Sequence, residues 1–380
     1  MKPSHRCWAE VSLDALRANL AWIRHRVGRR VKVLTVVKAD AYGHGLKQIA
    51  AVLMQAGTDL FGVANLAEAR AIHSVGAGWP VLMLGACLPD EIQDAVRDHV
   101  QPTISSLAEA RAFSAAAAKL GKRARVHVKV DTGMGRLGVR PTEAVGLARQ
   151  IVSMPRLELE GIYTHFASAE DDATFTRAQA RRFLTVLDEL TLAGVRPPLV
   201  HANNSAALLY EPDTTFNLVR PGLLVYGIVP PCRRPQETNL RQRLRPALSF
   251  HARVSLVKQI PKGASLSYGR DFIAPRRMRV ATITAGFGDG YLRAGSNRAE
   301  VLIGGRRCRV LGRITMDQTL VDVSRVPGVA SGDEAVLLGR QGGEAITANE
   351  LASWCDTIPW EVLAGITYRV PRVYRGGQAA

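Results

Sequence analysis

Short apolar runs alternate with longer stretches in which apolar residues recur every three or four positions. The runs are VKVLTVV (31–37), LFGVA (60–64), PVLML (80–84), VQPTI (100–104), RVHVKV (125–130), LELEGIYT (157–164), LVHAN (199–203) and NLVRPG (217–222). Between them lie helix signatures. SSLAEARAFSAAAAKLG carries a capping box at Ser106 and Glu109 and stops at Gly121. TFTRAQARRFLTVLDELTLAG is a second amphipathic stretch closed by glycine. Eight strands, each followed by a helix, predict a (β/α)8 barrel.

The texture changes after about residue 240. SFHARVSLVKQI, RVATITAG, EVLIGGRRCRVLG, TLVDVS and EAVLLGR are β-branched, short and punctuated by glycine, which predicts a mainly antiparallel β-domain. The proline-bearing segment 230–240 is the expected joint. The division is therefore residues 12–240 for the barrel and 241–380 for the β-domain, with residues 1–11 pairing with the latter.

Composition narrows the class. A chain of 380 residues, 47% hydrophobic, can bury a large core in two domains. No run of roughly 18 apolar residues is present, which argues against a membrane span, and the first residues lack the apolar block of a signal peptide. A cytoplasmic location is expected. Five scattered cysteines without a CxxC pair argue against a disulfide framework and against a metal site. The net charge of +17 is spread over arginine-bearing stretches without interleaved aromatics, so a solvated surface is expected rather than a nucleic-acid partner.

Barrel enzymes gather their chemistry at the C-terminal ends of the strands. There the first run ends on Lys38, with Tyr42 close behind. The fifth leads through VDTGMGRLG to Arg136, the sixth ends at His165, the seventh at Asn204 and Ser205, and the eighth at Arg220 and Gly222. One amine, two guanidiniums, an imidazole, hydroxyls and backbone amides converging on one mouth are the equipment for a Schiff-base cofactor that carries a phosphate.

At these residues the chain resembles a known family. VVKADAYGHG is similar to the pyridoxal-phosphate attachment motif of bacterial alanine racemases. VKVDTGMGRLG, THFASA, HANNSAA, NLVRPGLLVYG, SLSYGRDF, GFGDGY, LGRITMDQTLVDVS and ITYRVPRVY follow in family order over nearly the whole chain. The resemblance implies an isomerase that interconverts L- and D-alanine for peptidoglycan by a two-base mechanism on pyridoxal 5'-phosphate. It implies that Lys38 binds the cofactor and serves one face of the substrate, and that Tyr268 serves the other. The phosphate would lie on the amides of Gly222 and Leu223 and the hydroxyls of Tyr42, Ser205 and Tyr368. Arg220 would face the pyridine nitrogen, and His165 would be the proton partner of Tyr268, coupled to Arg220. Arg136 and Met316 would bind substrate, with Lys129, Asn204 and Asp317 in support. In several relatives the lysine equivalent to Lys129 is carbamylated. Family members are homodimers with shared sites, which places Tyr268, Met316 and Asp317 in the partner's barrel.

Two positions depart from the family: Phe287 where tyrosine is common, and Asn203 where alanine is more usual. Either could alter access or breadth, so a serine or broad-specificity racemase of the same family stays open. Decarboxylases of this architecture are disfavoured because they carry a carboxylate where this chain has Arg220. Single-barrel cofactor carriers lack a β-domain.

Overall fold

The computed structural model describes residues 5–232 and 243–377. The joint expected at 230–240 lies, from residue 233 onward, outside the described residues. The described residues form two compact units: residues 16–41 with 46–232 and 243–245, and residues 5–15 with 42–45 and 246–377.

In the first of these units eight strands close into a parallel barrel: β2 (Lys32–Val36), β3 (Leu60–Val63), β4 (Val81–Met83), β5 (Gln101–Ile104), β6 (Ala124–Lys129), β7 (Leu157–Tyr163), β8 (Leu199–His201) and β9 (Leu218–Val219). Each of the eight apolar runs supplies one strand. Pairing of Lys32 with Leu218 and of Val33 with Val219 closes the ring. Parallel strands covered by helices are buried on both faces, which is why the runs are continuously apolar rather than alternating.

Helices follow as α1 (Leu13–Val27), α2 (Lys38–Gly43), α3 (Leu46–Gln55), α4 (Leu66–His73), α5 (Ile92–Arg97), α6 (Leu107–Lys119), α7 (Pro141–Ser153), α8 (Ala173–Leu192) and α9 (Ser205–Tyr210). The Ser106 hydroxyl accepts from the Glu109 amide at 3.2 Å, the cap expected for α6. Two features differ from the simple alternation. β9 is not followed directly by a helix: residues 223–227 form turns. And α2 is left-handed: Ala39, Asp40, Ala41 and Tyr42 all have φ between 52° and 54°.

The other unit is built on a mainly antiparallel sheet in the order β15–β14–β17–β10–β1–β19, with further strands paired to β10 and β17. These strands are β1 (Cys7–Ser12), β10 (Leu248–Ile260), β14 (Glu300–Ile303), β15 (Arg306–Arg309), β17 (Glu334–Gln341) and β19 (Arg372–Arg375). Strand β1 runs antiparallel to β10, with Trp8 opposite His251, and parallel to β19.

Candidate active site

The first barrel strand ends at Val36, and Lys38 opens the left-handed turn. Four consecutive non-glycine residues with positive φ are costly, about 1–2 kcal/mol each, so side chains must hold them. The carboxylate of Glu68, on α4, accepts from the Ala39 amide at 2.7 Å and from the Ala64 amide at 2.8 Å. Asp40 accepts from the Leu46 amide at 2.7 Å, tying the turn to α3. Tyr42 stands four residues after Lys38 on the same turn and is buried, and burial pushes its phenol up.

Burial lowers the Lys38 amine, and the Arg136 guanidinium lowers it further, while Glu68 opposes them. Lys129, at the end of β6, is 2% exposed and is pushed down to about 8 by burial, Arg136, Arg220 and Lys38. The loop after it is shaped by Asp131, whose Oδ1 accepts from the amides of Gly133, Met134 and Gly135 at 3.0, 2.9 and 3.0 Å. Arg136 stands exposed on that loop. His165, after β7, is held well below its usual range by burial, then by Arg220, Lys129, Arg136 and Lys38. Lys38, Lys129, Arg136, His165 and Arg220 thus share one electrostatic neighbourhood.

Arg220 follows β9 directly and is 3% exposed. Its Nη2 donates to the carbonyls of Thr164 at 2.8 Å and Ala202 at 2.9 Å and meets His165 Nδ1 at 3.2 Å; its Nη1 meets His201 Nδ1 at 2.8 Å. The Tyr163 ring lies 5.0 Å from the guanidinium carbon. Burial lowers this group to about 10, so it stays charged at neutral pH. Ser205 opens α9, and its hydroxyl accepts from the Gly222 amide at 2.9 Å and from Leu224 at 3.3 Å. Leu223 is fully buried between them in sequence. Asn204 caps α9, accepting from the Ala207 amide at 3.0 Å.

This donor set fits pyridoxal phosphate. The carboxylates that act on Lys38 and Lys129, those of Glu68 and Asp131, are engaged by backbone amides. A surplus of cationic groups is left at one mouth, which suits a ligand bearing a phosphate and a substrate bearing a carboxylate.

The remaining expected residues belong to the β-rich unit. Tyr268, Met316 and Asp317 line one groove of about 790 Å³ there, together with Asp289 and Arg369. Arg369 bridges Asp289 at 3.0 Å and Asp317 at 2.7 Å. Tyr268 is 71% exposed, Met316 55% and Tyr368 99%. Ser267 and Gly269, on either side of Tyr268, have φ of 62° and 71°. Phe287 is partly exposed, and its amide donates to the Thr315 carbonyl. Asn203 is fully buried and serves packing: it accepts from Thr214 Oγ1 at 3.0 Å and donates to Thr215 Oγ1 at 3.2 Å, fastening residues 211–215. Sequence reasoning did not single out Gln101, His127, Tyr163 or His201, which occupy the barrel interior behind Arg220. The only trace of them was a polar residue inside otherwise apolar strands.

Comparison with known proteins agrees with this geometry. The family model for the alanine racemase N-terminal domain matches residues 11–230, and that for the C-terminal domain matches residues 247–374. An alanine racemase of Symbiobacterium thermophilum is 42% identical over 100% of this chain and 99% of its own length. The crystal structure of alanine racemase from D-cycloserine-producing Streptomyces lavendulae superposes with a TM-score of 0.92 at 35% identity, covering 99% of each chain. A Bacillus anthracis alanine racemase with bound L-Ala-P gives 0.87 at 35% identity, over 99% of this chain and 96% of that one. With a barrel mouth suited to the cofactor and both domains matched along their length, this chain belongs to the alanine racemase family, isomerases that work with pyridoxal phosphate.

Proposed function

We propose that this chain interconverts L- and D-alanine as a cytoplasmic homodimer supplying D-alanine for peptidoglycan, with Lys38 and the partner subunit's Tyr268 as its two proton carriers. The observation that carries the reading is the shared neighbourhood of Lys38, Lys129, Arg136, His165 and Arg220 at the barrel strand ends. Pyridoxal phosphate, when bound, supplies an electron sink that acidifies the α-carbon of the amino acid.

The chain's own residues divide the rest. Lys38 holds the cofactor, and its lowered amine takes a proton more readily returned near neutral pH. Tyr42, Ser205, Tyr368 and the amides of Gly222 and Leu223 are the residues for the phosphate. Arg220 has donors only, so it can hydrogen-bond the pyridine nitrogen without giving it a proton. That weak sink favours loss and return of one proton over longer-lived side reactions. Arg136, which Lys129 would orient once carbamylated, and Met316 are the residues for the substrate. His165, kept neutral, can pass a proton to or from Tyr268. Asn204 and Asp317 hold their neighbours in place.

Support for the homodimer comes from the exposed Tyr268 and Met316, which line one groove, since large exposed side chains on one face mark a surface that another surface covers. Among the described residues no helix is long and apolar enough to cross a membrane.

Subunit complementation tests this arrangement. Lys38→Ala and Tyr268→Phe chains should each be inactive. Mixed and allowed to exchange, they should form hybrid dimers in which one of two sites has both carriers, restoring about a quarter of the wild-type sites. Exchange without recovery of activity would remove the shared site.

A further inference from the structure

A barrel core is ordinarily filled by branched apolar side chains, yet this one carries a row of buried polar groups behind Arg220. His201 and His127 are fully buried, and Gln101 is 5% exposed. Starting from the guanidinium, Arg220 Nη1 lies 2.8 Å from His201 Nδ1, His201 Nε2 lies 3.1 Å from His127 Nδ1, and His127 Nε2 lies 3.0 Å from Gln101 Oε1. These residues come from β9's end, β8, β6 and the start of β5. The row therefore crosses the barrel from the strand C-termini toward their N-termini.

The direction of every bond in the row follows from one fact. A guanidinium has no lone pair to offer, so Arg220 donates and His201 Nδ1 accepts. The His201 proton must then sit on Nε2, which donates to His127 Nδ1. That in turn puts the His127 proton on Nε2, where it donates to the Gln101 carbonyl oxygen. One tautomer satisfies both rings. Burial keeps both imidazoles neutral, with His127 lowered to about 3. Tyr163 stacks on His201 at 4.6 Å with its plane 3° away, and its hydroxyl is held at 2.7 Å from Thr103 Oγ1.

The backbone makes room for this row. A Cβ on Gly161 of β7 would stand 2.4 Å from His127 Nδ1 and 2.6 Å from its Cε1. Any side chain at 161 would displace the ring from its bonding position.

We propose that His201, His127 and Gln101 are positioning residues for the racemase reaction: a one-way hydrogen-bond row, anchored on the Gln101 carbonyl and fitted into the notch at Gly161, that holds the Arg220 guanidinium in a single orientation. Gln101 stops the row because its carbonyl only accepts. The inference rests on the reading that Arg220 serves the cofactor's pyridine nitrogen.

The test is histidine ring ¹⁵N NMR, on both cofactor-free and cofactor-loaded protein, combined with steady-state kinetics. In the native chain His127 and His201 should both be in the Nε2–H form, and this needs no variant to fold. Gln101→Met removes the acceptor at similar volume, and Gly161→Ala pushes on the His127 ring from another strand. Each should shift or broaden the His127 Nε2 signal, because that N–H loses its acceptor or its place, and lower kcat by at least about tenfold, the scale of a small misplacement of a catalytic group, with KM for alanine little changed. An Nδ1–H form of His201 in the native chain, or Gln101→Met protein with an unaltered His127 Nε2 signal or unaltered kcat, would overturn the inference and leave the reading of Arg220 intact. Native tautomers together with an Arg220→Lys chain of undiminished kcat would overturn that reading and the inference with it.

Discussion

Lys129 shows at the scale of one residue what a crowded cationic mouth does. Its amine is lowered to about 8 by burial first, then by Arg136 and Arg220, with Asp131 opposing. The folded pKa of a base is thus below its unfolded value. Between about pH 8 and the ordinary lysine range the unfolded chain binds a proton that the folded chain does not, so this group's contribution to stability rises with pH across that window. Below about pH 8 the buried charge costs stability. A neutral amine can also add to carbon dioxide, turning the cation into a carbamate anion beside Arg136. We predict a carbamate signal in ¹³C NMR of protein equilibrated with ¹³C-bicarbonate, growing as pH rises toward 8 and absent in Lys129→Met. Native protein that shows no such signal at pH 8 would remove the modification. Lys38, Arg136, His165 and Arg220 were legible in the sequence because each stands at the end of an apolar run or on the loop that follows it, where barrel chemistry collects. Gln101, His127 and His201 were not. They sit inside runs that are apolar on both faces, and only the closed barrel brings residues 101, 127, 201 and 220 into one line.

At the scale of elements the turn after β2 is the part that the sequence concealed. The eight apolar runs and the Ser106 cap could be read directly, because strand burial and capping are local properties. Ala39, Asp40 and Ala41 are ordinary residues for a right-handed turn, and nothing in their identity signals a positive φ. What imposes the left-handed path is distant in sequence: the Glu68 carboxylate, one oxygen on Ala39 and the other on Ala64, and Asp40 on Leu46. Glu68→Gln keeps one acceptor oxygen and puts an amide donor against the second backbone donor. Both bonds lie at exposed positions, so the expected result is a loss of about 0.5–1.5 kcal/mol, the net worth of one hydrogen bond, seen as a lower Tm. Amide exchange at Ala39 or Ala64 should speed up while that of the β6–β7 amides stays as it was. Uniform exchange throughout the barrel, or none of the expected change at 39 and 64, would mean that the turn is held by something other than Glu68.

For the whole molecule, the +17 charge and the exposed groove raise the same question of what covers the surface. Much of the arginine is already paired within the chain. Arg307 alone reaches Glu300 at 3.0 Å, Glu344 at 2.9 Å and Glu350 at 2.7 Å, and Arg70 reaches Asp94 and Asp98. These pairs take up acidic residues and leave the net +17 as the cationic excess over the rest of the surface. The exposure of Tyr268 and Met316 was legible only through the family resemblance, since a run of residues does not say which side chains a fold leaves uncovered. If a second copy covers them, a monomer keeps Lys38 and loses the partner subunit's Tyr268. Met316 is more than half exposed, so Met316→Asp should leave the fold and the cofactor site standing while placing a charge in the contact. We predict a folded monomer by sedimentation, with racemisation reduced by about 10²–10⁴-fold, the usual worth of one proton carrier. Lys38 should still work its own face of the substrate. In deuterated water the monomer should label D-alanine at the α-carbon without inversion faster than it labels L-alanine, and Tyr268→Phe dimers should show the same bias. A folded monomer that racemises at the native rate, or that labels both enantiomers equally, would show that one subunit carries both protons by itself.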